Sequence, residues 1–336
     1  MALTTGPLMG FYNYRLSPGP VNGRISTFTR EDRGSISTIL KGRSTSFSLV
    51  YRNLLVNGNK FPKKGVNVVS PTTSFNTTQE ILDAYEDEYG GAIIDHEGLP
   101  SSANAFSAAL QSSLSLWKSK GKRGIWLKLP EKRADLVPVA IKEGFNYHHA
   151  EPGYVMLTCW IPGGACMLPA TASHQVGVGA FVMNENREVL VVKEKLCPRR
   201  CSGLWKLPTG FIDKAEEIYS GAIREVKEET GIDTVFLEVV AFRHAHLVAF
   251  EKSDLFFMCV LRPISSEIKI DEKEIQAARW MPFGEFISQS FYQEDSMLKK
   301  AIDVSLARCE NYYHGFTAHR VISKFDDRLS YLYYRD

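Results

Sequence analysis

Phe106, Ala109, Leu110, Leu114 and Trp117 recur at helical spacing and predict a helix over residues 103–120. An acidic stretch at 79–89 predicts a shorter helix, 124–129 a strand, 132–143 a helix ended by Gly144, and 154–160 another strand. Strands alternating with helices predict a small α/β unit over residues 66–169. Beyond it, 174–182 predicts a strand, and a turn at 184–187 leads to a second strand at 188–193, making a hairpin. Later strands are predicted at 236–242, 255–261 and 279–281, and a helix at 296–307. The expected architecture of this second part is a mixed sheet flanked by helices.

Between the hairpin and the later strands, residues 216–230 carry a different kind of pattern. Ile218, Ala222 and Val226 fall four apart and form one apolar stripe able to pack on a sheet. Gly231 stands where the helix must turn left-handed, a backbone state glycine adopts without strain. Glu225, Glu228 and Glu229 share one helix face by their three- and four-residue spacings. Like charges so placed weaken a helix, and an acidic face usually just meets water. Here the cluster follows a glycine-containing loop at 207–211 and adjoins Arg224, which favours a built site over a solvated face. Such hard oxygen ligands suit Mg²⁺ or Mn²⁺. The chemistry predicted is metal-assisted attack of water on a phosphoanhydride.

The spacing is Gly210, then Glu216, then Arg224-Glu225, Val226, Glu228-Glu229, Gly231 and Ile232. That pattern resembles the Nudix box in full. Residues 126–162, 172–195, 203–210 and 252–263 extend the resemblance to plant Nudix hydrolases with an amino-terminal pre-Nudix domain, similar to the ADP-ribose and NADH pyrophosphatases. The resemblance implies a Nudix α/β/α sandwich over residues 170–325, a pre-Nudix α/β domain at 66–169 and a tail at 326–336. It implies that Glu225 and Glu229 are the central metal ligands and that Glu228 shares the ions or polarises water. The Gly210 carbonyl would be a backbone ligand, Glu216 an outer one, and Arg224 would orient the glutamates. A further glutamate outside the box, acting as ligand or base, would be Glu274, with Glu272 as fallback. Trp205 and Phe211 flank the box entrance as candidates to stack on a base, although Trp205 serves equally well as core packing. Arg243 is the candidate to pair with a diphosphate oxygen. The implied substrate is a small nucleoside diphosphate derivative, ADP-ribose or NADH, cut to AMP and the other phosphorylated half. Coenzyme A, RNA caps, or a weakly catalytic regulatory or protein-binding role stand as alternatives. Relatives of this kind also form homodimers.

The 336 residues are 44% hydrophobic and 23% charged, the composition of an ordinary globular protein of about two domains. A net charge of +2 argues against a nucleic-acid partner, and no apolar run approaches a membrane span. Cys197 and Cys201 enclose two arginines, which favour a thiolate, yet a plain reduced pair in a loop is the stronger reading. His148 and His149, followed by Glu151, look like ligand material, but neighbours on an extended segment point to opposite faces, so a structural role is expected. Residues 1–65 hold ten lysines and arginines against Glu31 and Asp32 alone, among many serines and threonines. That is the composition of an organelle transit peptide, chloroplast slightly preferred over mitochondrion; the alternative is a disordered extension on a cytoplasmic protein. A fluorescent fusion of residues 1–65 is expected to enter a plastid or mitochondrion, and diffuse cytosolic signal would remove the assignment.

Overall fold

The computed structural model describes residues 80–196, 203–322 and 328–335. The candidate transit peptide and the Cys197/Cys201 pair lie outside the described residues. The chain divides near residue 172 into two units.

In the first unit a sheet runs β1 (Ala84–Glu86), β2 (Ala92–Ile94), β3 (Gly124–Pro130), β5 (Tyr154–Trp160), β4 (Asn146–Glu151). Helix α1 (Ala103–Ser119) starts where the Ser102 hydroxyl accepts from the Ala105 amide at 3.2 Å. Its buried face is Phe106, Ala109, Leu110 and Trp117, which pack with Ile125, Leu127 and Leu157 of the sheet. The predicted 132–143 helix begins as a 3-10 turn (Glu131–Leu136) and becomes α2 (Val137–Lys142), with Gly144 at φ +91 beyond it.

Two expectations for this unit fail. The acidic stretch 79–89 is no helix among its described residues; it holds β1 and a turn. Asp87 accepts from the amides of Tyr89 (2.9 Å) and Gly91 (2.6 Å), a local bond that competes with helix formation. The histidine pair does not split to opposite faces either. A bulge between Tyr147 and His149 breaks the alternation, bringing the two Nδ1 atoms within 2.6 Å. His148 Nε2 lies 3.0 Å from the Pro169 carbonyl, and its ring meets Trp126 edge-on.

In the second unit a four-stranded mixed sheet runs β8 (Thr209–Phe211), β6 (His174–Val182), β10 (Lys252–Pro263), β9 (Thr234–Ala249), with β6 and β10 parallel. β7 (Glu188–Glu194) pairs with β11 (Ile275–Pro282). Strict alternation along β10 separates two cores. Phe256, Met258 and Val260 face the side covered by α6 (Ser296–Cys309), whereas Phe257, Cys259 and Leu261 face α3 (Ile218–Thr230). The short helices α4 (Phe283–Ser288) and α5 (Ser290–Glu294) lead into α6, whose first amides bond the Asp295 carboxylate. This is the mixed sheet between helical layers expected of the second domain.

The predicted 174–193 hairpin is corrected. Its turn exists, with Arg187 at φ 58 and its amide on the Asn184 carbonyl at 3.1 Å. β6 and β7, however, share just the Met183–Val189 bridge before joining different sheets. Val189 and Val191 enter one core and Leu190 the other, so burial on both faces decides where β7 lies. The expected tail at 326–336 contains a strand, β13 (Leu329–Tyr334), paired with β12 (Thr317–Ile322) and sending Tyr333 onto the α3 side. No helix of the described residues is long and apolar enough to cross a membrane.

Candidate active site

Helix α3 seats its apolar stripe, Ala222 and Val226, in the core beneath it, so its acidic residues line the rim and outer face. It ends at Gly231, at φ +74, whose amide bonds the Lys227 carbonyl at 2.8 Å. At its start, the Glu216 carboxylate accepts from the Asp213 amide at 2.9 Å, closing the loop that carries Gly210 into the helix.

Arg224 organises the acidic face. Its Nε and Nη2 donate to both oxygens of Glu216 at 2.8 Å, a two-point grip that a lysine cannot reproduce. Nη1 donates to Glu225 at 2.8 Å and to Glu228 at 2.9 Å, while Nη2 also reaches the Phe211 carbonyl at 2.8 Å. One guanidinium therefore holds three carboxylates and the box loop. Its hydrogen bond to Glu216 is the leading cause of a raised Arg224 pKa, and the same bond pulls Glu216 below its ordinary range.

Glu225 and Glu229 sit deeper. A Cβ on Gly210 would lie 1.8 Å from the Glu225 Cδ, so this position admits no side chain while the carboxylate stays there. Burial pushes Glu225 up to about 7, against the pull of Arg224, with Glu228 and Glu216 adding repulsion. Glu229 is 8% exposed, and burial raises its pKa well above the carboxylate range, helped by the charges of Glu225 and Glu194. Lys206 and a hydrogen bond from the Thr209 amide oppose that rise. Its Oε2 is buried with no hydrogen-bond partner. An unmet buried carboxylate oxygen is costly, and a divalent cation is the partner it suits. Among the described residues no three His, Cys, Asp or Glu side chains converge as a ready cage. Mg²⁺ needs none, since it binds through one or two carboxylates, waters and substrate phosphates. The donor set fits such an ion.

Glu194 was not singled out from sequence. At the end of β7, on the parity of Leu190 and Val192, it makes a buried ion pair with Lys206 and adds negative charge beside Glu229. The signal available was strand alternation, which puts residue 194 on the same face as the α3 side of the core. Glu274 is exposed in the turn before β11, where its carbonyl accepts from the Lys195 amide at 2.8 Å. Glu272 is exposed too, and its carbonyl accepts from the Lys195 ammonium.

The three substrate candidates are not brought together. Phe211 is half-buried in the box loop. Trp205 packs against the α6-side core, with Lys193 Nζ 4.5 Å and the Arg279 guanidinium 4.8 Å from its ring centroid. Its carbonyl accepts from the Tyr292 hydroxyl at 3.1 Å, so it has a firm structural role. Arg243 lies opposite Phe256, on the α6 side of the sheet, and lines a cavity there.

Fold and carboxylate face together define a hydrolase of pyrophosphate bonds. Residues 82–161 match the Nudix hydrolase domain and residues 173–301 the NUDIX domain. The chain is 59% identical to Nudix hydrolase 8 of Arabidopsis thaliana over 82% of its own length and 75% of that protein. It is 48% identical to Nudix hydrolase 2 of the same plant over 76% of its length and 90% of that protein. Against the human nucleoside diphosphate-linked moiety X motif 6, identity is 37% over 54% of this chain and 58% of that one. The chain belongs to the Nudix hydrolase family.

Proposed function

We propose that this hydrolase acts on ADP-ribose or NADH, releasing AMP and the other phosphorylated half. The observation that carries the chemical part is the buried, unpartnered Glu229 oxygen beside Glu225 and the bare Gly210. Glu225, Glu229 and the Gly210 carbonyl would hold Mg²⁺ or Mn²⁺, with Glu228 and Glu216 at the edge of the set. When bound, such an ion neutralises phosphate charge and lowers the pKa of the attacking water.

The residues then divide the work. Arg224 fixes the carboxylates before substrate arrives, which lowers the reorganisation needed at the moment of reaction. Glu228, more exposed than its neighbours, stands at the solvent edge where an attacking water gives up its proton. Glu194 and Glu274, at the same end of the β7–β11 pair, are the alternative proton acceptors outside the box. The water oxygen bonds to phosphorus as the bridging P–O bond breaks, and the departing phosphate takes up a proton at the end. The substrate choice follows the resemblance of residues 126–162, 172–195, 203–210 and 252–263 to the ADP-ribose and NADH pyrophosphatases. A dinucleotide-like substrate also allows one end to be gripped while the anhydride reacts.

Comparing kcat/KM for ADP-ribose, NADH, coenzyme A, a nucleoside triphosphate and a capped RNA tests this, since that ratio reports transition-state preference. ADP-ribose or NADH is expected to lead by about tenfold or more. A lead by coenzyme A or capped RNA would change the substrate and leave the chemistry.

A further inference from the structure

The helix that carries the box carboxylates begins without a cap of its own. Glu217 stands at the capping position of α3, yet its side chain bonds none of the first amides. A capping side chain ordinarily accepts from the second or third helical amide. Here the second amide, that of Tyr219, donates instead to the Tyr333 hydroxyl at 3.3 Å, from a residue 114 positions away in the chain. Burial pushes the Tyr333 hydroxyl up to about 12, so it stays neutral at ordinary pH. Tyr331, two residues earlier on the same face of β13, stands edge-on to the Tyr219 ring with 5.0 Å between centroids, and the two hydroxyls hydrogen-bond. The β12–β13 hairpin is itself fastened to the sheet. Phe316, just before β12, exchanges both backbone hydrogen bonds with Val239 of β9 at 2.9 Å.

The segment held in this way sits directly against the carboxylate frame. The chain reaches Glu216 through Ala215 at φ 61, a left-handed state that is costly for a residue with a Cβ. In the first turn of α3, a Cβ on Gly221 would run into the Ile212 side chain and lie 3.1 Å from Glu216 Oε2. Glu216 is in turn the carboxylate that Arg224 grips at two points. A first turn that unwinds or slides therefore displaces Glu216, and through Arg224 it displaces Glu225 and Glu228.

We propose that Tyr333 is a positioning residue of the active site: the β12–β13 hairpin caps the box helix in place of Glu217 and holds Glu216 and Arg224 where the carboxylates can take a divalent ion. The inference rests on the reading of Glu225 and Glu229 as metal ligands. Chains whose first turn has come loose do not present the full carboxylate set, and apparent metal affinity falls with the fraction that does.

Mn²⁺ binding to the full chain, followed by the paramagnetic resonance signal of the free ion, tests this without any substrate. Tyr333→Phe keeps the ring and removes the hydroxyl, and it is expected to weaken Mn²⁺ binding roughly threefold to tenfold. A short acceptor at the capping position, Glu217→Asp or Glu217→Ser, is expected to bring the Tyr333→Phe protein back to within about twofold of the parent. A hydroxyl that only adds stability would lower the melting temperature and leave the Mn²⁺ affinity of the folded chain where it was. Unchanged affinity in Tyr333→Phe, measured well below its melting temperature, overturns the proposal. So does a weakening that neither capping substitution relieves. If Mn²⁺ binding by the parent is indifferent to Glu229→Gln, the metal reading fails and the proposal with it. Binding that needs Glu229 but not the Tyr333 hydroxyl retires the positioning role alone.

Discussion

Glu229→Gln is expected to lower kcat on the best substrate by on the order of a hundredfold or more while the protein still folds. The substitution keeps the volume of a side chain that is 8% exposed and removes its charge. Burial opposes ionisation of Glu229 and an amide has none to oppose, so the metal-free domain should hold or gain stability while it loses rate. That opposition separates a ligand from a structural residue, because breaking a structural contact lowers both. Single-turnover kinetics across a metal titration, alongside thermal melts in chelator, give the two readouts. A folded variant with near-normal rate at ordinary Mg²⁺ would remove Glu229 from the metal set. Rate restored by excess metal would show that the loss was in affinity.

The acidic helix was legible because its signals are local. The Ile218, Ala222, Val226 stripe, the Gly231 stop and the carboxylate spacing all lie within two dozen residues, and α3 follows them closely. Strands β5 and β6 were equally plain, with 154–160 and 174–182 matching Tyr154–Trp160 and His174–Val182. What escaped depends on partners distant in the chain. Whether β7 pairs with β6 or β11 is decided by residues 275–282, far from the turn that suggested the hairpin. The β4 bulge that reverses the histidine geometry appears only against β5. Glu194 carries no motif, and it matters because folding buries it beside Glu229 and Lys206. Arg243 was picked for its charge and its place at a strand end, but the sheet face it lines is set by register with Phe256.

The metal-free enzyme is expected to lose stability as pH rises from about 5.5 to 8, and Mn²⁺ is expected to reverse the trend. Glu225 is pushed up to about 7 by burial, whereas in the unfolded chain a glutamate titrates near 4.3. The folded state therefore binds the proton more tightly, and the benefit is complete below the unfolded pKa. It fades as pH climbs through the folded one. Between pH 5.5 and 8 the loss from this group is on the order of 2 kcal/mol, roughly 4–8 °C in Tm for a domain of this size. Glu229, also raised by burial, adds in the same direction. Metal needs the same carboxylates deprotonated, so its stabilisation grows as protons leave. Melts in chelator and in Mn²⁺ at both pH values check this, with Glu225→Gln as the control that flattens the chelator slope. A chelator Tm that is the same for parent and Glu225→Gln across the range would end the account. So would an Mn²⁺ increment no larger at pH 8 than at 5.5, because a carboxylate site that protons do not contest is not the site described by Glu225 and Glu229.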